Sequence, residues 1–143
     1  MTPKTRAERS AQAMWDDDSA SKWFGMEIME VDEDFAILRL IIEPHHANGL
    51  GICHGGVTFA LADSAFAFAC NSRNRSTVAQ HNSISYLAPA KIGDTLNATA
   101  RQVSLTGRNG ITDVVVTNQI GESIALFRGV SRTIKGTLFD EES

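Results

Sequence analysis

The hydrophobic positions in the first part of the chain change period along the sequence. Between residues 6 and 18, apolar residues recur at helical spacing and predict a peripheral amphipathic helix, after which Ser19 could start a new turn. Residues 26–31 and 35–43 are short, partly alternating apolar runs separated by three acidic residues, which predicts a hairpin of two strands. Residues 44–54 contain Pro and Gly and follow no period, so we expect a loop there.

The second part of the chain predicts one buried helix followed by four strands. Residues 57–71 are rich in Ala, Leu and Phe, contain neither Pro nor Gly, and are apolar nearly all round, so this helix must be enclosed. Turn residues then bound four alternating segments, at 77–87, 95–106, 111–119 and 123–134. This alternation is typical of antiparallel strands with one buried face. The pattern predicts an α+β fold in which a curved antiparallel sheet wraps around the central helix.

Length and composition predict one globular domain over residues 1–143. The chain is 43% hydrophobic and 21% charged, and its longest apolar run falls short of the ~20 residues that a membrane span needs, which excludes membrane insertion. The charged first residues lead into no apolar segment, so we expect no secretory signal and a cytoplasmic location. Cys53 and Cys70 form no CxxC motif and are predicted to be small buried hydrophobes.

Charge is distributed unevenly along the chain. The formal net charge of −4 argues against a nucleic-acid-binding protein. Residues 1–43 carry five basic and ten acidic side chains, whereas residues 64–139 carry eight basic and three acidic ones. The basic part could attract a small polyanion, or its charges could be scattered over solvated strand faces. The sequence leaves both interpretations open.

Asp63 is the only acidic or basic residue between Gly55 and Ser72, within the predicted apolar helix. A buried, unpaired carboxylate costs several kcal/mol, so Asp63 must be partnered, exposed at an interface or retained for chemistry. A structural bond to a backbone group or to an arginine is the alternative.

The His54-Gly55-Gly56 motif stands directly before the same helix. We expect the amides of Gly55 and Gly56 to lie free in its first turn, where they could stabilise an oxyanion. A glycine-rich helix start that serves only packing is the alternative.

The spacing of these two candidates has a consequence for assembly. Asp63 follows Gly55 by eight positions, which is ~12 Å along a helix. That distance is too long for both groups of one chain to act on one carbonyl. If both act, the site forms at a two-fold dimer interface, with the helix N-terminus from one chain and Asp63 from the other.

The histidines have weaker claims to a functional role. His45 and His46 are adjacent in the predicted loop, lack the spacing of a metal pair, and are expected at the surface. His54 could orient Asn48 or a thioester, and His81 falls within a predicted strand. The sequence contains no G-x-S-x-G and no P-loop, and the Gly107 to Gly110 segment is more plausible as a hairpin turn.

Several short motifs, taken in order, closely resemble the hot-dog-fold acyl-CoA thioesterases of the phenylacetate-degradation (PaaI) type. They are Asn48-Gly49, His54-Gly55-Gly56, residues 61–72, Tyr86 to Pro89 with Gly93 to Leu96, and Ala125 to Gly129. The likeness runs from Trp15 to Gly136. It implies hydrolysis of aryl-acetyl or ring-hydroxylated phenylacetyl-CoA by a homodimer assembled into a homotetramer. It also implies no metal and no cofactor, CoA being part of the substrate.

The resemblance carries roles onto individual residues. It implies that Asp63 is the general base or nucleophile and that the Gly55 amide polarises the thioester carbonyl. It also implies that Asn48 and His54 position water, the carboxylate and the thioester. The residues it implies for substrate or CoA binding are Gly56, Gln80, Tyr86, Lys91, Gly107 and Arg108. Lys91 and Arg108 are suitable donors for the phosphates. Where some relatives place a serine near the attacking water, the matching residues here are Ala79 and Gln80.

Two other functions stay open at this point. A non-catalytic acyl-CoA sensor would keep the CoA contacts without requiring Asp63, and the first helix is too short to form a helix-turn-helix. A dehydratase on the same fold would pair a histidine such as His54 with an acid across the site. Fold alone does not decide between these functions.

Overall fold

The computed structural model describes residues 1–141, and within them the chain forms three α-helices and six strands. In chain order these are α1 (Pro3–Asp16), α2 (Ser19–Phe24), β1 (Glu27–Asp32), β2 (Phe35–Ile41), α3 (Gly55–Cys70), β3 (Thr77–Tyr86), β4 (Thr95–Thr106), β5 (Asn109–Thr117) and β6 (Ser123–Thr133). A short 3-10 helix, Pro44–His46, interrupts the loop before α3. No helix of the described residues is long and apolar enough to cross a bilayer.

The strands form one antiparallel sheet in the order β1-β2-β4-β5-β6-β3, and α3 packs against it. The predicted α+β architecture, a curved antiparallel sheet packed around the central helix, is confirmed. Alternation explains the packing, because every second residue of the inner strands faces α3. Ala36, Ala98 and Ala100 are fully buried, and their small side chains let the helix approach the sheet closely.

The enclosure of α3 is less complete than its apolar sequence predicts. Leu61, Ala65 and Phe66 are fully buried, and Phe68 packs against Trp15 of α1. A strip on the other side of the helix is only half-buried; it consists of Phe59, Ala60, Asp63, Ser64 and Ala67. The sheet covers only one side of a helix, and α1 and α2 do not reach this strip in full.

The bounds of the first helix differ from the prediction because capping residues set where helices begin and end. The first helix begins at Pro3, with Thr2 as its N-cap, and stops at Asp16. Asp18 is not part of it, because its carboxylate accepts a hydrogen bond from the Ser21 amide and so starts a second helix, α2. The predicted turn at Gly107 is confirmed as the hairpin turn between β4 and β5.

The two edge strands of the sheet, β1 and β3, differ in how far other parts of the chain cover them. Helix α1 packs along β1, and Lys4 donates a hydrogen bond to the Val31 carbonyl on that strand. Strand β3, at the other edge, pairs only with β6 within the described chain, and most of its residues are exposed. An open edge strand of ten residues offers a row of unpaired backbone groups to another strand.

Gly129 should be required by the packing of α3 on β6. A Cβ at this position would lie 2.6 Å from the Phe66 ring, so the ring and the helix would have to shift. We expect Gly129→Ala to lower the free energy of unfolding by about 1–3 kcal/mol in urea denaturation. Gly49→Ala is the control, because its Cβ would meet nothing within 4 Å. Equal midpoints for both variants would contradict this account.

Candidate active site

The start of α3 is capped by a histidine. His54 has extended backbone angles, and its Nδ1 accepts a hydrogen bond from the Gly56 amide at 2.8 Å. The expectation of two free amides is therefore wrong for Gly56, because the N-cap side chain engages its N–H. The Gly55 amide donates no hydrogen bond within residues 1–141 and remains the open donor at the positive end of the helix dipole.

A cleft of about 340 Å³ lies beside this amide. Gly55 lines it together with Asn48 and Tyr86, and most of the remaining wall is apolar. The Tyr86 hydroxyl donates a hydrogen bond to the Gly55 carbonyl at 2.8 Å, and burial raises the pKa of this phenol, so it remains a neutral donor. A Cβ on Gly55 would lie 3.1 Å from the Tyr86 ring, so glycine allows this close approach.

The loop before α3 is folded by side chains that bond to the backbone. Asn48 Oδ1 accepts hydrogen bonds from the amides of Leu50 and Ile52, at 2.9 and 3.3 Å, which brings Asn48 to the cleft wall. An isolated backbone β-bridge pairs Lys91 with Ile52. Lys91 follows Ala90, which lines the cleft together with Ile52, so Lys91 flanks the cleft wall. Three predicted site residues, Asn48, Tyr86 and Lys91, thus come together around the start of α3.

The expectation of two surface histidines holds for only one of them. His45 is exposed, 3.6 Å from the Glu43 carboxylate, whereas His46 is 2% exposed. The His46 imidazole bridges the Glu43 amide and the Phe24 carbonyl, so it ties the loop to α2. Burial follows because both ring nitrogens find backbone partners.

The environments of the two cysteines match the prediction of small buried hydrophobes. Cys53 and Cys70 are free and buried, as the sequence predicts. Burial raises the pKa of the Cys70 thiol to about 12. Across residues 1–141, the His, Cys, Asp and Glu side chains form no group of three or more that could hold a metal ion.

Asp63 lies two turns into α3 on the half-buried strip. Its Oδ1 accepts a hydrogen bond from Asn82 Nδ2 at 3.1 Å. Burial raises the pKa of Asp63, and the Asn82 hydrogen bond opposes that rise without cancelling it. The partner is therefore a neutral amide on β3 and neither the backbone group nor the arginine that the sequence suggests as an alternative.

Asn82 is a site residue that the motifs do not reveal. It shares a strand face with Ile84 and Tyr86, so its polar side chain occupies a position that faces α3. A polar residue among core-facing positions of a predicted strand is the signal that could have identified it. The sequence does not say which helix residue it meets.

The remaining predicted residues lie apart from this cluster within one chain. Gly107 and Arg108 form the turn before β5. The β5 residue in register with Tyr86, through Ala125 of β6, is Val116, which follows Arg108 by eight positions, or about 27 Å along the strand. Gln80 lies at a β-bulge of β3, on the open edge. His81 points from β3 to the face opposite Asn82. One chain thus contains an open amide donor, Gly55, and a carboxylate, Asp63, held ~12 Å apart along α3.

Comparison with known proteins identifies the family. A model of the thioesterase superfamily matches residues 50–125. Over 136 residues the chain is 40% identical to acyl-coenzyme A thioesterase PaaI of Escherichia coli K12, covering 95% of this chain and 97% of that protein. The chain belongs to the thioesterase superfamily.

Solved structures agree with this membership. The E. coli PaaI protein from the phenylacetic acid degradation operon matches with a TM-score of 0.93 over 95% of this chain and 99% of that chain. A Streptococcus mutans protein solved with acetyl-CoA is 27% identical and matches with a TM-score of 0.75 over 78% of this chain and 90% of its own. The prediction of a thioester hydrolase with a hot-dog fold is confirmed.

The His54 cap should contribute measurably to stability. Removing the side-chain acceptor in His54→Ala leaves the Gly56 amide unpaired, and we expect the free energy of unfolding to fall by about 1 kcal/mol. His54→Asn should retain most of it, because asparagine is a strong N-cap residue. Urea denaturation at one fixed pH measures both variants. An equal loss in the two would mean that the cap does not carry the effect.

Proposed function

We propose that this protein hydrolyses acyl-CoA thioesters with an aromatic acyl group, phenylacetyl or hydroxyphenylacetyl, to the free acid and CoA. The observation that carries the proposal is the open Gly55 amide at the start of α3, facing a largely apolar cleft. The likeness to E. coli PaaI over nearly the whole chain supports the substrate class, since that relative is an acyl-CoA thioesterase from a phenylacetic acid degradation operon.

The Gly55 amide has the geometry to polarise a thioester carbonyl. It points out of the first turn of α3, where the helix dipole adds to its positive potential. As the carbonyl carbon becomes tetrahedral, negative charge builds on its oxygen and strengthens this hydrogen bond more than in the ground state. One such donor is typically worth about 2.7–4 kcal/mol of transition-state stabilisation. Tyr86 supports the wall by holding the Gly55 carbonyl.

A second copy of the chain would supply the carboxylate. Strand β3 is the open edge of the sheet, and the half-buried strip of α3 carries Asp63 towards the same side, because Asp63 contacts Asn82 on β3. Antiparallel pairing of two β3 strands about a two-fold axis would cover both features. Each site would then combine Gly55 of one subunit with Asp63 of the partner subunit.

Asp63 would promote hydrolysis of the thioester in one of two ways. As a general base it takes a proton from water, the hydroxide oxygen bonds to the carbonyl carbon, and the carbon–sulfur bond breaks as the proton passes to the departing sulfur. As a nucleophile its oxygen bonds to the carbonyl carbon, the CoA thiolate leaves, and water then hydrolyses the anhydride. Asn48 and His54 would position the water and the thioester.

The same dimer would bring the proposed CoA contacts together. Antiparallel pairing reverses the strand ends, so the turn with Gly107 and Arg108 would approach the cleft of the other subunit. Arg108 and Lys91 would then flank the cleft as donors for the CoA phosphates, and Gln80 and Gly56 would lie along its path. The basic character of residues 64–139 supports this arrangement.

Two features of the proposal concern assembly and location. The outer face of the sheet exposes Val115 and Leu126 beside the Asp113–Arg128 ion pair, and pairing of two dimers through it would give the predicted homotetramer. A cytoplasmic location stays a prediction.

The alternatives make different demands on the same residues. A sensor would bind acyl-CoA without turnover, so it would not require Asp63. A dehydratase would need a histidine paired with an acid, whereas His54 within this chain uses its Nδ1 as a helix cap. The open oxyanion donor favours the hydrolase.

Release of free CoA tests the function directly. We expect wild-type protein to release CoA from phenylacetyl-CoA and hydroxyphenylacetyl-CoA faster than from benzoyl and straight-chain thioesters. Asp63→Asn should lower kcat by orders of magnitude while thioester binding persists, because the amide cannot accept a proton or attack. Binding without release above background would instead favour the sensor.

Stability provides a control for Asp63→Asn. The folded-state pKa of Asp63 lies above its unfolded value, so the stability it contributes in its protonated form is lost as pH rises through the folded pKa. Asparagine stays neutral, so it avoids the free-energy cost of burying an ionised carboxylate. The variant should therefore be at least as stable as wild type at neutral pH.

Subunit complementation tests the shared site. Gly55→Pro removes the oxyanion donor in a backbone conformation that suits proline, because proline is favoured at the first helical position and His54 already has extended angles. Its Cβ would lie 3.1 Å from the Tyr86 ring, so that ring must shift slightly in the variant subunit. We expect both Asp63→Asn and Gly55→Pro homodimers to be inactive.

A heterodimer of the two variants would contain one site with both native groups. Random pairing of the subunits should therefore recover about a quarter of the wild-type specific activity. No recovery, with heterodimers demonstrated by differently tagged subunits, would mean that both groups act within one chain.

A further inference from the structure

Asn82 occupies a position where the fold itself has no need of an amide. It pairs with Gly129 on β6, which lies against the Phe66 ring, and its side chain reaches Asp63 on α3. Its Nδ2 donates to Asp63 Oδ1, while its Oδ1 is buried and has no hydrogen-bond partner within residues 1–141. A buried carbonyl without a donor disfavours folding, so an apolar side chain would suit this position better.

The amide of Asn82 organises the Asp63 carboxylate. Asp63 Oδ1 is engaged at 3.1 Å, whereas Oδ2 accepts no hydrogen bond among the described residues. A single fixed donor orients the carboxylate plane and leaves one oxygen available to a reactant. A lysine or arginine at the same place would pair with the charge and lower the basicity of the carboxylate.

We propose that Asn82 is a positioning residue, which holds Asp63 Oδ1 so that Oδ2 faces the attacking water or the thioester carbon. This inference rests on the proposed function for its catalytic consequence. The contact between the two side chains does not depend on that function. Nothing in the thioesterase motifs of this sequence includes position 82.

Within residues 1–141, Asn82 is the only hydrogen-bond donor to the Asp63 carboxylate. Burial raises the pKa of Asp63, and the Asn82 bond is what opposes it. On α3, the Cys70 thiol stays neutral, because burial, with a smaller contribution from Asp63, raises its pKa to about 12. On α2, Asp18 bonds to Ser21, and Lys22 lies over the Trp15 ring and bonds to the Asp16 carbonyl.

The strands add no charge on the side of α3. The charged residues of β2 to β6, together with His81, alternate with the buried positions and so lie on the outer face of the sheet; they are Arg39, His81, Arg101, Asp113, Arg128 and Arg132. Tyr86 lies on the α3 face of β3, but burial raises its pKa, so it stays neutral and donates to the Gly55 carbonyl. Loss of the Asn82 donor would therefore leave the ionised form of Asp63 without compensation.

Three variants separate positioning from packing. Asn82→Leu is similar in size and cannot hydrogen-bond, and Asn82→Ala is a smaller second variant in case leucine does not fit. Ser83→Ala is the matched control, because Ser83 is the next residue on β3, is exposed and points to the opposite face. Thermal denaturation establishes that each variant is folded.

The pH dependence of thioester hydrolysis is the first readout. The acid limb of kcat/KM follows the ionisation of Asp63, so in Asn82→Leu and Asn82→Ala we expect this limb to move up by about one pH unit. KM for the thioester should change little, and kcat below the limb should fall about tenfold. Ser83→Ala should keep the wild-type profile. A lower rate with an unmoved limb would mean that Asn82 is merely structural, and would overturn the proposal.

Direct titration of Asp63 makes the test independent of activity. In protein labelled with ¹³C at the aspartate carboxyl carbons, Asp63→Asn identifies the Asp63 signal. We expect its midpoint to rise in Asn82→Leu and to stay unchanged in Ser83→Ala. If no thioester is hydrolysed by wild type, the proposed function fails, and a raised midpoint would still support the contact. An unchanged midpoint in folded Asn82→Leu would overturn the positioning role.

Discussion

The structure depends on packing one apolar helix against one face of a curved sheet. Small residues on both sides, such as Ala65 on α3 and Ala98 on β4, bring the two backbones close, and the Phe66 ring is buried against Gly129 and Phe127 of β6. This packing holds the start of α3 rigidly at the edge of the cleft. The same one-sided packing leaves a strip of the helix uncovered, and that strip carries Asp63.

The polar groups of the site are few and each is held by a neutral partner. The Gly56 amide donates to the His54 imidazole, and the Tyr86 hydroxyl donates to a backbone carbonyl. The Asp63 carboxylate accepts a hydrogen bond from the Asn82 side-chain amide. Neutral hydrogen bonds orient these groups without fixing their charge, so a buried carboxylate can still exchange a proton. An ion pair would have held Asp63 in one protonation state.

The difference between the two sheet edges links this chemistry to assembly. Lys4 and α1 protect β1, whereas β3 is open, and β3 also carries Asn82 next to Asp63. The open edge and the half-buried carboxylate therefore lie on the same side of the molecule. In the proposed dimer, a single surface would serve both dimer formation and completion of the site.

The sequence by itself determined the elements that depend on local pattern. Helical spacing located α1, an apolar run without Pro or Gly located α3, and alternation located the strands. The motif His54-Gly55-Gly56 marked the start of α3. Only the tertiary structure decided that Asn82 meets Asp63 across 19 positions and that His46 is buried with its ring bonded to the Phe24 carbonyl. The physical reason is that periodicity specifies which face a residue occupies, whereas hydrogen-bond partners are specified by register between elements distant in sequence.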